Sequence, residues 1–347
     1  MKLDDLCGFL EARSFPAAQA REHPERHDVA ATRTAVSAAV GDDEFLVDCM
    51  VHELDLVESG VPRRGLTPFF TMPDLGIRFA FGYWRPGSEP GPHEHTAWTI
   101  TAVCRNELEV LTYDREKSYR SQTLVPKNRF EAPAGRAGFI YEPCIHKPSN
   151  STDRWSLSFH VISPRDGERL VDEERSLPIL DEFVARVLAD RGHPYDGVLA
   201  ARQRQIVVRQ VAQLLASVDS PQAGILLNRC HRAGTAATRR FIERLRGGDA
   251  VAGCGDHSWM LVRTHPDLAM SYRDDEESGL VRLGVETPEG WVEELAMSRV
   301  ARDALAFAAR TEIFDLRQLP GNLYKDERRM IAEALEESGL FTRNTQP

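Results

Sequence analysis

Hydrophobic residues recur every third or fourth position through the first sixty residues. In Arg33-Thr-Ala-Val-Ser-Ala-Ala-Val40 and Asp43-Glu-Phe-Leu-Val-Asp-Cys-Met-Val-His52 the pattern puts Phe45, Leu46, Cys49 and Met50 on one face, as an amphipathic helix requires. Residues 1–60 therefore read as a helical cap that packs over a second, strand-built region. Beyond about Phe69 the period shortens. Ile77-Arg-Phe-Ala-Phe-Gly-Tyr-Trp84, Trp98-Thr-Ile-Thr-Ala-Val103 and Glu107-Leu-Glu-Val-Leu-Thr-Tyr113 are rich in β-branched and aromatic residues or alternate in polarity, which predicts strands. Arg105-Asn106 between the last two marks a hairpin turn. Ser163-Pro-Arg-Asp-Gly167 is a cluster of breakers that ends this region, so a strand-built domain is expected over 61–170.

From about Leu177 the period returns to 3.6. Leu180, Phe183, Val184 and Val187 mark one amphipathic helix and Val207, Val211, Leu214 and Leu215 another, a helical connector over 171–255. A last domain, 256–347, opens with short strands at Trp259–Val262, Leu268–Tyr272, Gly279–Gly284 and Trp291–Leu295. Helices come next at Val300–Ala309, capped by Ser298, and at Tyr324–Ser338, closed by Gly339. The expected class is mixed: a β-barrel followed by an α+β domain.

Composition narrows the function classes. The chain has 347 residues, 42% of them hydrophobic and 28% charged, enough for two domains. No stretch approaches twenty uninterrupted apolar residues, and Met1-Lys-Leu-Asp-Asp-Leu lacks the basic-then-apolar order of a signal peptide. A cytoplasmic protein with no membrane partner is expected. Six cysteines occur singly, without Cys-x-x-Cys spacing, so reduced thiols are the default. The formal net charge is −10, and nearly all the excess acid lies before residue 183. Such a surface offers a phosphate backbone no bulk attraction, which argues against nucleic acid as a partner.

The chemistry concentrates in Gly87-Ser-Glu-Pro-Gly-Pro-His93-Glu-His95 and, fifty residues on, Pro143-Cys-Ile-His146-Lys-Pro-Ser-Asn150. Side chains at i and i+2 of a strand share a face, so His93 and His95 point together into a barrel while Glu94 points away. With His146 they supply three imidazoles, donors that suit Fe, Zn, Cu and Ni. Three protein ligands leave positions open for exogenous molecules, as a catalytic site requires.

Gly87, His93 and His95 match the first motif of the cupin superfamily, with Asn106 near the place of its closing glycine and Thr99 or Ile100 where its glutamate would stand. Gly135, His146 and Asn150 match the second motif, with Tyr141 and Pro143 in place of its middle pair. Over about residues 30–165 the chain resembles a cupin without its glutamate, and so is similar to the three-histidine thiol dioxygenases typified by cysteine dioxygenase. That resemblance implies a double-stranded β-helix, or jelly-roll, barrel that binds non-haem Fe(II) through His93, His95 and His146. It also implies O2 as co-substrate for oxidation of a small-molecule substrate. Ser158 and His160, in Trp155-Ser-Leu-Ser-Phe-His-Val-Ile-Ser163, stand where the family keeps a Ser and a His beside the metal.

The departures bear on substrate. Ile162 replaces the family's active-site Tyr, and Ile100 the Cys that some members crosslink to it. Tyr141, five residues before His146, is the candidate phenol to serve in its stead as proton donor or ligand anchor, beside His160 as the second catalytic candidate. No Arg matches the family's carboxylate-binding position; Arg63, Arg64, Arg78 and Arg85 are the cations nearest to it in sequence. Arg78, Arg85, Tyr83, Trp98 and Ser158 are the substrate-binding candidates, with barrel packing the plainer reading of the aromatics. Cys144 shares the face of His146 if its strand is regular.

The last 90 residues resemble a winged-helix module in their order of elements, and the expectation attached to it is homodimerisation or substrate docking. Cys230-His231 with Cys254 and His257 match no common zinc spacing, and Arg229, Arg232, Arg239, Arg240, Arg244 and Arg246 read as a solvated helix face or a docking patch for an acidic partner. Two alternatives to thiol oxidation stay open: other oxidative chemistry at the same site, such as C–C cleavage or N-oxidation, and a ligand-sensing regulator. Against the regulator, Tyr324–Ser338 sets Lys325, Arg328 and Arg329 against Asp326, Glu327, Glu333, Glu336 and Glu337.

Overall fold

The computed structural model describes residues 1–20, 22–61, 66–167, 177–189, 192–247 and 260–344. It divides into two compact units, one of Met1–Ser59, Gly65–Ala189 and Val218–Ala223, the other of Gly60–Arg64, Asp190–Ser217 and Gly224–Pro347.

The first unit opens with three helices, α1 (Leu3–Glu11), α2 (Arg26–Ala39) and α3 (Asp43–Glu58). Asp42 starts α3 by accepting from the Glu44 backbone N–H at 3.0 Å, which satisfies a donor that the first helical turn leaves open. Phe45, Leu46, Cys49, Met50, Leu54 and Val57 are buried along it, as the periodicity predicts. Among the described residues nine strands come after the helices: β1 (Pro68–Thr71), β2 (Arg78–Trp84), β3 (His93–His95), β4 (Thr99–Arg105), β5 (Glu107–Tyr113), β6 (Pro126–Pro133), β7 (Ala137–Ile140), β8 (Cys144–Ser149) and β9 (Ser156–Ile162). Helix α4 (Arg115–Ser121) interrupts them after β5, and α5 (Pro178–Ala189) comes after β9.

The strands form two antiparallel sheets, ordered β1-β2-β9-β4-β7 and β3-β8-β5-β6. Their pairing is nested: β5 with β6, β4 with β7, β3 with β8, β2 with β9. One long hairpin of four strand pairs, rolled so that successive pairs fall alternately in the two sheets, is the jelly-roll or double-stranded β-helix. The turn positions fit. Gly87, Asn106 and Gly135 all have positive φ, at 67°, 59° and 83°, the region open to glycine and tolerated by asparagine. Asn106 also donates to the Ser156 hydroxyl at 3.0 Å and Asn150 to the Trp84 and Arg154 carbonyls at 3.0 and 2.7 Å, tying the loops at one end of the barrel.

The outer face of the five-stranded sheet carries the hydrophobic core. Phe79, Phe81 and Phe159 are fully buried, and Phe159 meets Phe45 of α3 edge-on at 5.4 Å. Burying a side chain of this size stabilises by about 1.5–3 kcal/mol. The outer face of the other sheet packs Tyr113 and Ile145 against Tyr119 of α4 and against Leu177 and Leu180 at the start of α5. The residues expected to form a connector thus divide: α5 belongs to the barrel unit, because Leu180 completes this second cluster.

The second unit contains α6 (Tyr195–Ala216), the body of α7 (Pro221–Ala233), α8 (Ala236–Leu245), β10 (Met260–Arg263), β11 (Met270–Asp275), β12 (Leu280–Thr287), β13 (Gly290–Ser298), α9 (Arg302–Ala308), β14 (Ile313–Asp315), α10 (Lys325–Glu337) and β15 (Phe341–Asn344). Strands β11-β12-β13 form an antiparallel meander, and β14 and β15 flank β10 in a separate sheet. This is α+β. The meander precedes both α9 and α10, and α10 is succeeded by the single strand β15 rather than by a hairpin, so the described elements do not reproduce the winged-helix order. Gly339, at φ 78°, ends α10 where an added Cβ would lie 2.7 Å from the Val198 carbonyl of α6. No helix among the described residues is long and apolar enough to cross a membrane.

Candidate metal centre

Strand β3 holds only three residues, and its register against β8 sets the site: His93 opposite His146, Glu94 opposite Ile145, His95 opposite Cys144. Directly opposed residues share a face, so the three imidazoles meet on one wall. Their ligand atoms lie within 4.8 Å of one another. Ring centroids are 4.5 Å apart for His93 and His146, 4.8 Å for His95 and His146, and 5.3 Å for His93 and His95.

The donor set fits a divalent metal. His93 and His146 bring their Nε2 atoms to 2.9 Å, and two imidazole nitrogens bound at right angles to one ion, at about 2.1 Å each, stand about 3.0 Å apart. The other ring nitrogens are held by acceptors: His93 Nδ1 lies 3.2 Å from the Gly91 carbonyl and His95 Nδ1 2.7 Å from Asp166 Oδ2. Each of these Nδ1 atoms therefore carries the proton as donor and leaves Nε2 as a lone pair. Burial, and then the neighbouring His95, push the His93 imidazolium down to about 4. Burial, and after it His93, His95 and His160, hold His146 well below the usual range. His93 and His146 are therefore neutral, the form that ligates.

Glu94 faces away, as the alternation predicts. On the outer side it accepts from Arg115 Nε and, at 2.5 Å, from the Tyr119 hydroxyl, which anchors a strand too short to hold itself. Asp166 is held in turn by the backbone N–H groups of Thr96 and Ala97 at 2.9 and 3.3 Å, and burial opposes but does not outweigh these bonds and that of His95, so its carboxyl sits below the ordinary range. Phe183 of α5 stacks on the His93 ring, centroids 5.7 Å apart and planes at 19°.

Ser158 and His160 lie together on β9. Trp84 Nε1 donates to Ser158 Oγ at 2.7 Å, Ser158 Oγ lies 2.7 Å from His160 Nε2, and His160 Nδ1 lies 3.1 Å from Thr101 Oγ1. Both nitrogens of His160 are thus engaged. It is buried, and that burial, with His95 and His93 nearby, pushes its imidazolium down to about 3. Gly82 makes the network possible: a Cβ there would lie 2.6 Å from Ser158 Oγ, 2.8 Å from Trp84 Nε1 and 3.0 Å from His160 Nε2.

Other candidates are engaged elsewhere. The Tyr141 hydroxyl donates to the Pro24 carbonyl at 2.8 Å, with His23 edge-on to its ring, so the phenol serves the N-terminal segment. Tyr83 donates to the buried Glu53 of α3 at 2.7 Å, and Trp98 packs on Phe15 with ring centroids 5.1 Å apart; both take the packing role. Arg78 donates to the carbonyls of Ser163 and Asp166 at 2.9 and 3.1 Å, not to the barrel interior. Arg85 is exposed beyond β2, and Arg63 and Arg64 lie outside the described residues. Cys144 is a free thiol, partly buried, directly across from His95. His231 pairs with Glu243 at 3.1 Å and Cys230 is buried, while Cys254 and His257 lie outside the described residues. Arg239, Arg240 and Arg246 bond to the His231 carbonyl, Glu333 and Asn228, which leaves less of that stretch for an acidic partner.

Sequence reasoning missed Asp166 and Phe183. Asp166 read as turn punctuation; the signal was a carboxylate in the turn that ends the last barrel strand, where the chain returns beside the first histidine strand. Phe183 read as one position of an amphipathic stripe, and nothing in its spacing distinguishes a ring that faces a histidine.

No protein-family profile and no curated protein matches the sequence. Solved structures overlap with the chain only partially. A double-stranded β-helix domain protein from Klebsiella pneumoniae is 16% identical, covers 31% of this chain and 86% of its own, and has a TM-score of 0.23. Oxalate oxidase in complex with glycolate is 22% identical over 27% of this chain and 45% of its own, with a TM-score of 0.22. Oxalate decarboxylase from Bacillus subtilis, described with Mn(II) centres, is 12% identical over 25% of this chain and 21% of its own, with a TM-score of 0.21. The chain therefore spans about a fifth of that decarboxylase and under half of the oxidase. The nested strand pairing, rather than these overlaps, identifies the barrel.

Proposed function

We propose that the protein is a non-haem Fe(II)-dependent oxygenase that oxidises a small substrate with O2, in the manner of the thiol dioxygenases. The observation that carries this reading is a convergent set of three imidazoles that no carboxylate joins among the described residues. When bound, Fe(II) supplies a Lewis-acidic, redox-active centre with positions left for substrate and O2. Three neutral ligands do not offset its charge, so the substrate class is a small anionic chelator such as a thiolate with a neighbouring amine.

The chain's own residues would orient and insulate that chemistry. Asp166 fixes the His95 tautomer, so that Nε2 is left as the lone pair. Phe183 lays an apolar ring on His93 and keeps water off that side. His160, neutral and bonded on both sides, holds the hydroxyls of Ser158 and Thr101 in one hydrogen-bonded row, through which a proton can shift between oxygens.

A second reading is favoured by one observation. Because Arg78 is engaged by loop carbonyls, it does not serve as the carboxylate-binding Arg of the thiol dioxygenases, and other oxidative chemistry at the same site, such as C–C cleavage or N-oxidation of a substrate that is not a thiol, is the second reading. Metal analysis with O2 uptake over a panel of small thiols and amines tests both. Stoichiometric iron with thiol-dependent uptake, both lost in His95→Ala, is expected. Uptake only with non-thiol substrates would transfer the assignment to the second reading, and a protein without metal or uptake would overturn both.

A further inference from the structure

The guanidinium of Arg78 hangs over the end of the β2–β9 pair. Arg78 opens β2 and stands opposite Ile162, the last residue of β9, so its side chain meets the chain where it turns into 163–167. It donates to the Ser163 carbonyl at 2.9 Å and to the Asp166 carbonyl at 3.1 Å. Those two carbonyls bracket a tight turn, closed by the Asp166 N–H on Ser163 O at 3.2 Å. The turn is docked on the segment after β3: Asp166 accepts from Thr96 and Ala97, and the Gly167 N–H donates to the Thr96 hydroxyl at 2.9 Å. Its carboxylate then reaches His95 Nδ1 at 2.7 Å, with both side chains 12% exposed.

We infer that Arg78 is a positioning residue of the metal centre, which by gripping the Ser163 and Asp166 carbonyls holds the turn that delivers the Asp166 carboxylate to His95. The inference rests on the reading of the three histidines as a metal centre. The physical reason is geometric. A carboxylate on a short tether at the tip of a turn aims an imidazole only if the turn is fixed, and one guanidinium nitrogen, Nη2, donating to two carbonyls of that turn ties both of its ends to β2. A lysine ammonium can satisfy the same two acceptors, but on a more flexible stem it holds them less firmly.

The test is a double-mutant cycle read as Co(II) affinity by chelator competition, on the full-length protein. Asp166→Asn is expected to weaken Co(II) by about 10- to 100-fold and Arg78→Gln by about tenfold. The double variant is expected to be no weaker than Asp166→Asn alone to within about twofold, because both act through one contact. Equal loss from Arg78→Gln in both backgrounds, or no loss in either, would overturn the inference. Should Arg78→Gln not fold, Arg78→Lys takes its place in the cycle, with a smaller loss expected and the same outcomes decisive. An independent readout is the ¹⁵N spectrum of metal-free, histidine-labelled protein. His95 is expected as the Nδ1–H tautomer in the parent and as a mixture in the Arg78 variants; an unchanged tautomer contradicts the inference. His95→Ala separates the two levels: if it binds Co(II) as the parent does, or the parent binds none, the metal-centre reading itself fails.

Discussion

Two walls of one barrel use histidine in opposite ways. On the four-stranded sheet, His93 and His95 each tie Nδ1 to an acceptor, and with His146 they bring ring nitrogens within 4.8 Å of one another. On the five-stranded sheet, His160 gives both nitrogens to hydroxyls. Burial does not separate them, since desolvation lowers the pKa of His93, His146 and His160 alike. Hydrogen-bond saturation does. A buried imidazole with one nitrogen satisfied and the other aimed at its neighbours keeps a lone pair that can bind a metal, and one with both nitrogens satisfied does not.

The largest expected effect breaks the first wall. His146→Ala removes the ligand that comes from the distant strand, and stoichiometric metal is expected to be lost on elemental analysis, while His160→Gln retains it. Equal metal loss in both would erase the contrast.

Next comes the second wall's packing. Gly82→Ala pushes a methyl into Ser158 Oγ, Trp84 Nε1 and His160 Nε2. Such overpacking costs about 1–3 kcal/mol, so the metal-free protein should melt several degrees lower. An unchanged melting temperature would mean that the network yields freely.

Acid sensitivity arises from the buried histidines, His160 among them. Its folded pKa, about 3, lies below the ordinary value of 6.5, so the unfolded chain takes up a proton first. The stability tied to its neutral form is complete above pH 6.5 and lost progressively as pH falls toward 3. Urea melts of the metal-free protein should show a shallower decline across that window in His160→Gln than in the parent. The smallest effect belongs to Tyr141→Phe, which removes one hydroxyl bond to Pro24. It should cost about 0.5–1.5 kcal/mol and leave metal content unchanged; loss of metal there would return Tyr141 to the centre.

The barrel and its three-histidine cluster were legible because they depend on local rules. A His-x-His pair at the start of a strand, turn residues able to take positive φ at 87, 106 and 135, and alternation along β5 each depend on a few neighbouring residues. The helical cap was legible from the stripe through Phe45 and Met50 for the same reason. What stayed hidden depends on where distant segments meet. Arg78 looked like a free cation because its acceptors are backbone carbonyls 85 and 88 residues away, and a carbonyl has no sequence signature. Tyr141 looked aimed at the metal because of its nearness to His146 in sequence, yet its acceptor is 117 residues away in Pro24. Short β14 and β15 gained strand structure only by flanking β10, a pairing that three- and four-residue runs cannot announce.

X-ray absorption at the iron edge of anaerobically Fe(II)-loaded protein tests the central claim most directly. The account predicts about one iron per chain with outer-shell scattering from three imidazoles, reduced in His95→Ala and unchanged in His160→Gln. Iron without imidazole scattering, or the same spectrum in all three proteins, would contradict it.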